Sequence, residues 1–185
     1  MRVITGTARG RRLKELSGLE TRPTTDRVKE GLFNIIQFDI EGRQVLDLFA
    51  GTGQLGIEAL SRGAASAVFV DQRRDAAQLV WENLRLTGLE GSAQVVNGES
   101  LGYLERCGKR FDLIFLDPPY GVGLLEKAVE AVTRFDILRP HGIMVCESYV
   151  DTVLPETAPP YRLHRTYRYG RIKLTVYRRE GEEQA

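Results

Sequence analysis

A chain of 185 residues, 42% hydrophobic and 28% charged, is long enough to bury a core, and no apolar run in it is long enough to span a bilayer. The formal net charge of +1 excludes a uniformly basic or acidic chain, so any attraction to a charged partner depends on where the charges sit. Two cysteines, Cys107 and Cys146, far apart, and two histidines exclude a disulfide scaffold and leave too few ligands for a dedicated zinc site.

Met1-Arg2-Val3-Ile4-Thr5-Gly6 lacks the apolar core of a signal peptide, so the expectation is a reduced, cytoplasmic protein without a membrane partner. Residues 1–29 hold eight basic side chains, Arg2, Arg9, Arg11, Arg12, Lys14, Arg22, Arg27 and Lys29, against Glu15, Glu20 and Asp26. A basic arm on a neutral-to-acidic body is a footprint for nucleic acid, with a solvated surface hairpin as the lesser alternative. Short strands at Arg2–Thr5 and Arg11–Lys14 around a turn from Gly6 to Gly10 predict a basic N-terminal β-hairpin extension over 1–24. A helix follows, capped by Thr24, Thr25 or Asp26, with Val28, Leu32, Ile35 and Ile36 on one face.

From Gln44 strands and helices alternate. Val45–Phe49, Ala67–Val70, Ala93–Val96, Leu113–Leu116 and Ile143–Cys146 read as strands. Leu55–Arg62, Asp75–Thr87 and Leu124–Phe135 read as helices, the first two stopped by Gly63 and Gly88. This alternation predicts an α/β fold with a doubly wound parallel sheet. Tyr161–Arg168 and Arg171–Tyr177 read as an antiparallel pair turning at Tyr169-Gly170, and 180–185 as a disordered tail, which leaves 25–179 as one domain.

Gly51-Thr52-Gly53-Gln54-Leu55-Gly56 matches G-x-G-x-x-G between a strand and a helix, and Asp71 ends the next strand. Glycines let backbone approach a nucleotide, and the carboxylate suits two ribose hydroxyls. On spacing alone a dinucleotide and S-adenosylmethionine fit equally. Asp47, four residues before Gly51, favours the second: a carboxylate there repels a pyrophosphate and suits an ammonium or the loop amides. Phe49 and Thr52 belong to the same expected donor site. Glu99, after the third strand, is placed to meet an adenine amine, and Gln72 to flank the adenine.

Asp117-Pro118-Pro119-Tyr120 leaves the fourth strand at the carboxyl edge, where doubly wound sheets bind ligands. An exocyclic amine of a base is a weak nucleophile because its lone pair is delocalised into the ring. The Asp117 carboxylate and the Pro118 carbonyl can each accept one of its hydrogens and favour the positive charge that develops. Pro118 and Pro119 hold the backbone still, and Tyr120 offers a ring on which a flipped base can stack. Alone, the tetrapeptide could be a rigid strand exit; beside the glycine loop and Asp71 it reads as a catalytic motif. Gly121 and Gly123 could hinge a lid. Trp81, His141 and His164 read as structural, and Glu147 as a solvated strand end.

Together, Asp47-Leu48-Phe49-Ala50-Gly51-Thr52-Gly53 and Asp117-Pro118-Pro119-Tyr120 resemble the motifs of class I amino-methyltransferases. Met1–Gly6 with Arg9-Gly10-Arg11, Thr21–Glu30 and Leu32-Phe33-Asn34 are similar to the 16S rRNA guanine-966 N2-methyltransferases of the RsmD type, over residues 1 to about 179. The resemblance implies a Rossmann-like, seven-stranded, mostly parallel sheet with antiparallel C-terminal strands, and methylation of guanine N2 in 16S rRNA of the small subunit or its assembly intermediate. It implies that Asp117 and Tyr120 carry catalysis, that Asp47, Gly51, Gly53 and Asp71 hold the donor, and that Arg9, Arg11, Arg12 and Arg22 meet RNA phosphates. Two departures stand out: Glu99 where an aspartate is usual, and Arg171 where an acidic residue is common. The rival readings are an adenine-N6 methyltransferase on RNA or DNA and a non-catalytic RNA-binding assembly factor. A monomer is the default expectation.

Overall fold

The computed structural model describes residues 1–17 and 25–182. Arg22, the cap candidate Thr24 and the end of the tail lie outside the described residues.

Seven strands form one sheet: β1 (Gln44–Asp47), β2 (Ser66–Asp71), β3 (Ala93–Asn97), β4 (Phe111–Leu116), β5 (Leu138–Tyr149), β6 (Tyr161–Tyr169) and β7 (Ile172–Arg179). Their order is β3-β2-β1-β4-β5-β7-β6. Strands β1 to β5 run parallel, and β7 is antiparallel to both β5 and β6. Among the described residues there are five α-helices, α1 (Asp26–Ile35), α2 (Gln54–Ser61), α3 (Arg74–Thr87), α4 (Ser100–Arg106) and α5 (Leu124–Arg134). The chain begins the sheet in the middle, winds outward to β3, and returns to place β4 on the other side of β1. That reversal between β1 and β4 opens a crevice at the carboxyl ends of the two strands, and both motifs leave the sheet there.

Central strands are apolar on both faces because helices cover both. One face packs Val45, Phe69, Leu113, Val145 and Leu174 against α1, α2 and α3. The other packs Leu46, Val70, Ile114 and Met144 against α4 and α5. Local signals set the helix ends. The Thr25 hydroxyl accepts a bond from Val28 N at 3.4 Å and starts α1. Gly88 ends α3 at φ 70°, a left-handed cap that a side chain would strain.

Three expectations are corrected. The N-terminal hairpin is shorter than expected: one antiparallel bridge, Arg2 to Arg12, flanked by bonds from Val3 N to Arg11 O and from Leu13 N to Met1 O. Other amides of the hairpin go to helix side chains: Ile4 N and Thr5 N donate to the Glu58 carboxylate, Ala8 N to Ser61 Oγ and Lys14 N to Asn83 Oδ1. Val3, Ala8 and Leu13 are buried in the same core as α1 and α2. Helix α4 is additional; it is seven residues long, too short to show a period, and it begins at the Glu99 cap. Strand β5 extends to both sides of Ile143–Cys146, and its added C-terminal residues are Glu147, Ser148 and Tyr149.

Candidate active site

The loop after β1 is built on two left-handed glycines, Gly51 at φ 56° and Gly53 at φ 83°. Gly51 N donates to Asp71 Oδ2 at 2.9 Å, and Arg73 N donates to Asp71 Oδ1 at 2.9 Å. Asp71 thus ties the loop to the exit of β2 and stays half-buried at the crevice edge. Asn83 Nδ2 donates to Thr52 O and Lys14 O, which pins the loop to α3 and the arm. Gly56 is a packing glycine: a Cβ there would come within 2.3 Å of the Phe69 ring, so α2 lies directly on β2.

Asp47 is 1% exposed and accepts from Gly56 N at 3.0 Å. It therefore shapes the loop and the first turn of α2. Burial raises its pKa to about 7, against the Gly56 hydrogen bond and with help from the Asp71 charge. A carboxyl whose folded pKa lies above its unfolded one stabilises fully below about pH 4, and this contribution is lost as pH rises through about 7. Asp47→Asn retains an acceptor for Gly56 N and carries no charge. Its urea midpoint is expected to be flatter than the wild-type midpoint between about pH 5 and 8. Parallel pH profiles would show that Asp47 is not the responsible group.

The loop fits a donor with an ammonium and a ribose. Gln54 Oε1, where the loop enters α2, is buried without a hydrogen-bond partner among the described residues, an acceptor of the kind an ammonium satisfies. Phe49 is half-buried just past the end of β1, and Gln72 is exposed at the end of β2. Asn97 Nδ2 donates to Asp71 O and Gln72 O, fixing the spacing of the two strand exits. Glu99 has a structural duty the sequence did not reveal. Its two carboxylate oxygens accept from Leu101 N and Gly102 N and cap α4, at the edge where the adenine was expected.

Across the crevice, β4 lies in register with β1, Asp47 opposite Phe115. Asp117, two residues on, is half-buried; Pro118 is buried, Pro119 exposed and Tyr120 half-buried. The Tyr120 ring lies 4.2 Å from the Tyr149 ring at 39°, and its hydroxyl donates to Glu147 Oε1 at 2.7 Å. Glu147 is only 4% exposed, which corrects its reading as a solvated strand end. The signal for it was present: a carboxylate directly continues the apolar run Ile143–Cys146, so its side chain leaves a buried strand. A cavity of about 170 Å³ lies behind the tetrapeptide, lined by Pro118, Tyr120, Leu125 and Ser148. A second, of about 200 Å³, lies between α1 and the β6–β7 turn and is lined in part by Glu147.

Arg9, Arg11 and Arg12 are exposed on the arm, away from the buried anchors. Met1 Sδ accepts from the Thr52 hydroxyl at 3.4 Å, so the arm starts against the glycine loop. Among the described residues no three His, Cys, Asp or Glu side chains gather as a metal group, and no helix is long and apolar enough to cross a membrane.

A seven-stranded sheet with this order, a reversed last pair, and a glycine loop and Asp-Pro-Pro-Tyr facing each other at the switch point define a Rossmann-like methyltransferase. The family described as Conserved hypothetical protein 95 matches residues 1–178, and the chain belongs to it, the RsmD family. YlbH of Bacillus subtilis (strain 168) is 41% identical over 98% of this chain and 100% of its own length. Ribosomal RNA small subunit methyltransferase D of Escherichia coli (strain K12) is 38% identical over 98% of this chain and 91% of its own. The solved structure of yhhF from Escherichia coli matches with a TM-score of 0.87 at 39% identity, covering 98% of this chain and 99% of that one.

Proposed function

We propose that this chain transfers a methyl group from S-adenosylmethionine to the exocyclic N2 of a guanine in small-subunit (16S) ribosomal RNA, guanine 966 by its family resemblance. The observation that carries the reading is the rigid Asp117–Tyr120 exit of β4, held beside the donor loop of β1 with the Tyr120 hydroxyl anchored on buried Glu147. The small-subunit substrate is carried over from the printed name of the Escherichia coli relative.

When bound, S-adenosylmethionine supplies an electrophilic methyl on a sulfonium. The chain supplies position and charge. Asp71 is placed for the ribose hydroxyls, while Asp47 and the glycines keep the loop open for the amino-acid end. The Asp117 carboxylate and the Pro118 carbonyl accept from the two amine hydrogens and turn the nitrogen lone pair toward the methyl. Asp117 is then the carboxylate placed to take the proton that the methylated amine sheds. Tyr120 and Tyr149 form an aromatic wall on which a flipped base stacks, worth about 1–3 kcal/mol. The chain acts as a monomer on the subunit or its assembly intermediate, and the arm lies along RNA phosphates.

The test is transfer from labelled S-adenosylmethionine to small subunits lacking the mark, with free 16S rRNA and duplex DNA in parallel, followed by nucleoside analysis. N2-methylguanosine is the expected product. Label in adenine N6, or in DNA alone, would overturn the substrate, and no label despite donor binding would favour an assembly factor. Replacing Arg9, Arg11 and Arg12 with alanine is expected to weaken RNA binding and lower its salt slope by about 0.7–0.9 per lost phosphate contact. An unchanged slope removes the arm from the interface.

A further inference from the structure

The most basic stretch of the chain is at its other end. Residues 161–179 hold six arginines and a lysine and no acidic residue, while the whole chain nets +1. This is β6, its turn and β7. The hairpin tip, Tyr169-Gly170-Arg171, stands at the carboxyl edge of the parallel strands, because Ile172 pairs with both Tyr149 and Tyr169. The positive charge therefore extends to the edge that holds Tyr120.

The register shows how those cations are arranged. Arg162 lies opposite Arg178, and Arg168 opposite Lys173. Like charges directly across an antiparallel pair are destabilising. Among the described residues, only the first pair has a relieving anion in view, Glu180 at 3.4 Å from Arg162. Arg165, opposite Val176, shares with Tyr167 and Tyr169 the face that packs toward α1, and its guanidinium stacks over the Tyr167 ring at 5.2 Å. A stacked guanidinium keeps its N–H edge outward for a phosphate. Beside it, burial together with Arg178, Arg162 and Arg165 pushes the His164 imidazole below its ordinary pKa, the response expected in a positive field. At the tip, Arg171 and Arg27 of α1 line the cavity of about 200 Å³ with Tyr169 and Glu147. Glu147 holds Tyr120, so this cavity adjoins the place proposed for the target base.

Cations on an edge strand also keep it from pairing with another sheet. That role needs one or two of them on β6. It accounts neither for Arg171 at the turn nor for Arg27 on a helix.

We propose that Arg165 and Arg171 of the hairpin, with Arg27 of α1, form a second RNA-docking surface that binds backbone phosphates of the strand carrying the target base. The inference rests on the reading that the substrate is RNA. The basic arm is then one of two contacts, and the site at the switch point lies between them.

The experiment measures binding of the full chain to an unmethylated 16S rRNA transcript from about 50 to about 200 mM salt. The variant Arg27→Ala/Arg165→Ala/Arg171→Ala is expected to bind roughly tenfold more weakly or worse, with a salt slope lower by roughly 2–3 and unaltered donor binding. Arg27→Lys/Arg165→Lys/Arg171→Lys keeps the charge and is expected to keep the slope. Arg106→Ala/Lys109→Ala/Arg134→Ala, at the far ends of α4 and α5, is expected to leave it unchanged. An unchanged slope in the first variant overturns the proposal, as does an equal fall in either of the other two. If the wild-type chain shows the hairpin-dependent slope yet forms no N2-methylguanosine, the catalytic reading fails and the surface stands. If it forms N2-methylguanosine while the first variant keeps the wild-type slope, the surface fails and the catalytic reading stands.

Discussion

On the proposed function, Asp117→Ala is expected to lower turnover by roughly 10²–10³-fold, equivalent to about 2.7–4 kcal/mol of transition-state stabilisation, and to leave S-adenosylmethionine affinity within about twofold. The size of the effect follows from what the carboxylate faces. An amine conjugated to a purine gains positive charge only as the new bond forms, so an acceptor fixed beside it stabilises the transition state more than the ground state. The Pro118 carbonyl remains in the variant, which keeps the loss short of complete. The glycine loop proposed to hold the donor leaves a different strand and is tied to Asp71, so donor binding is expected to be spared. Asp117→Asn keeps one acceptor without the charge and is expected to fall between wild type and alanine. Single-turnover transfer and equilibrium donor binding, measured on the same preparations, decide the matter. Normal turnover in Asp117→Ala would remove the mechanism, and equal losses in turnover and donor affinity would mean that the residue only holds the crevice in shape.

The largest expected effect on stability lies away from the chemistry, at Glu58. Its side chain is 0% exposed in the middle of α2 and faces Lys29, also 0% exposed, at 3.2 Å. The same carboxylate accepts from Ile4 N, Thr5 N and Arg62 Nε, and Lys29 Nζ donates to Arg2 O. Arm, α1 and α2 therefore meet on one buried anion. Burial lowers the Lys29 pKa, and the Glu58 charge opposes the shift. Glu58→Ala strands the ammonium and two backbone amides, at a cost of about 3–5 kcal/mol. For a chain of this length that lowers Tm by about 6–20 °C. Lys29→Met leaves Glu58 with its other three donors and is expected to cost less. The double variant Lys29→Met/Glu58→Ala has no buried ammonium and should be more stable than the sum of the single losses implies. Simple additivity of the two would mean that the ion pair does not couple α1 to α2.

Both effects concern carboxylates, and only one of the two was visible in the chain. Asp117 is legible because its neighbours are: two prolines and a tyrosine directly after an apolar run announce a rigid strand exit. Glu58 sits in a helix whose residues from Gln54 to Ser61 are all buried, and nothing local shows that it meets Lys29, 29 positions earlier. Glu147 is similar. Its partner Tyr120 lies 27 residues away, and the pairing exists only because β5 runs beside β4. Glu99 shows the reverse case: its position after β3 suggested a ligand contact, and its nearest obligation is the open N-terminus of a short helix that has no period of its own to betray it.

What the amino-acid sequence by itself determined is what depends on backbone conformation and short-range periodicity. The strand–helix alternation, the glycine loop after β1, the Gly88 stop and the stiff Asp-Pro-Pro-Tyr exit are each specified within a few residues. The tertiary structure decided which charges are buried and with whom. It anchored the basic N-terminal hairpin on Glu58, set Tyr120 on Glu147, and brought the cations of β6 and β7 to the side of the sheet beside the site. The physical reason is that burial and pairing of charge are long-range: a carboxylate's environment is set by the strand order and the register that bring distant segments together.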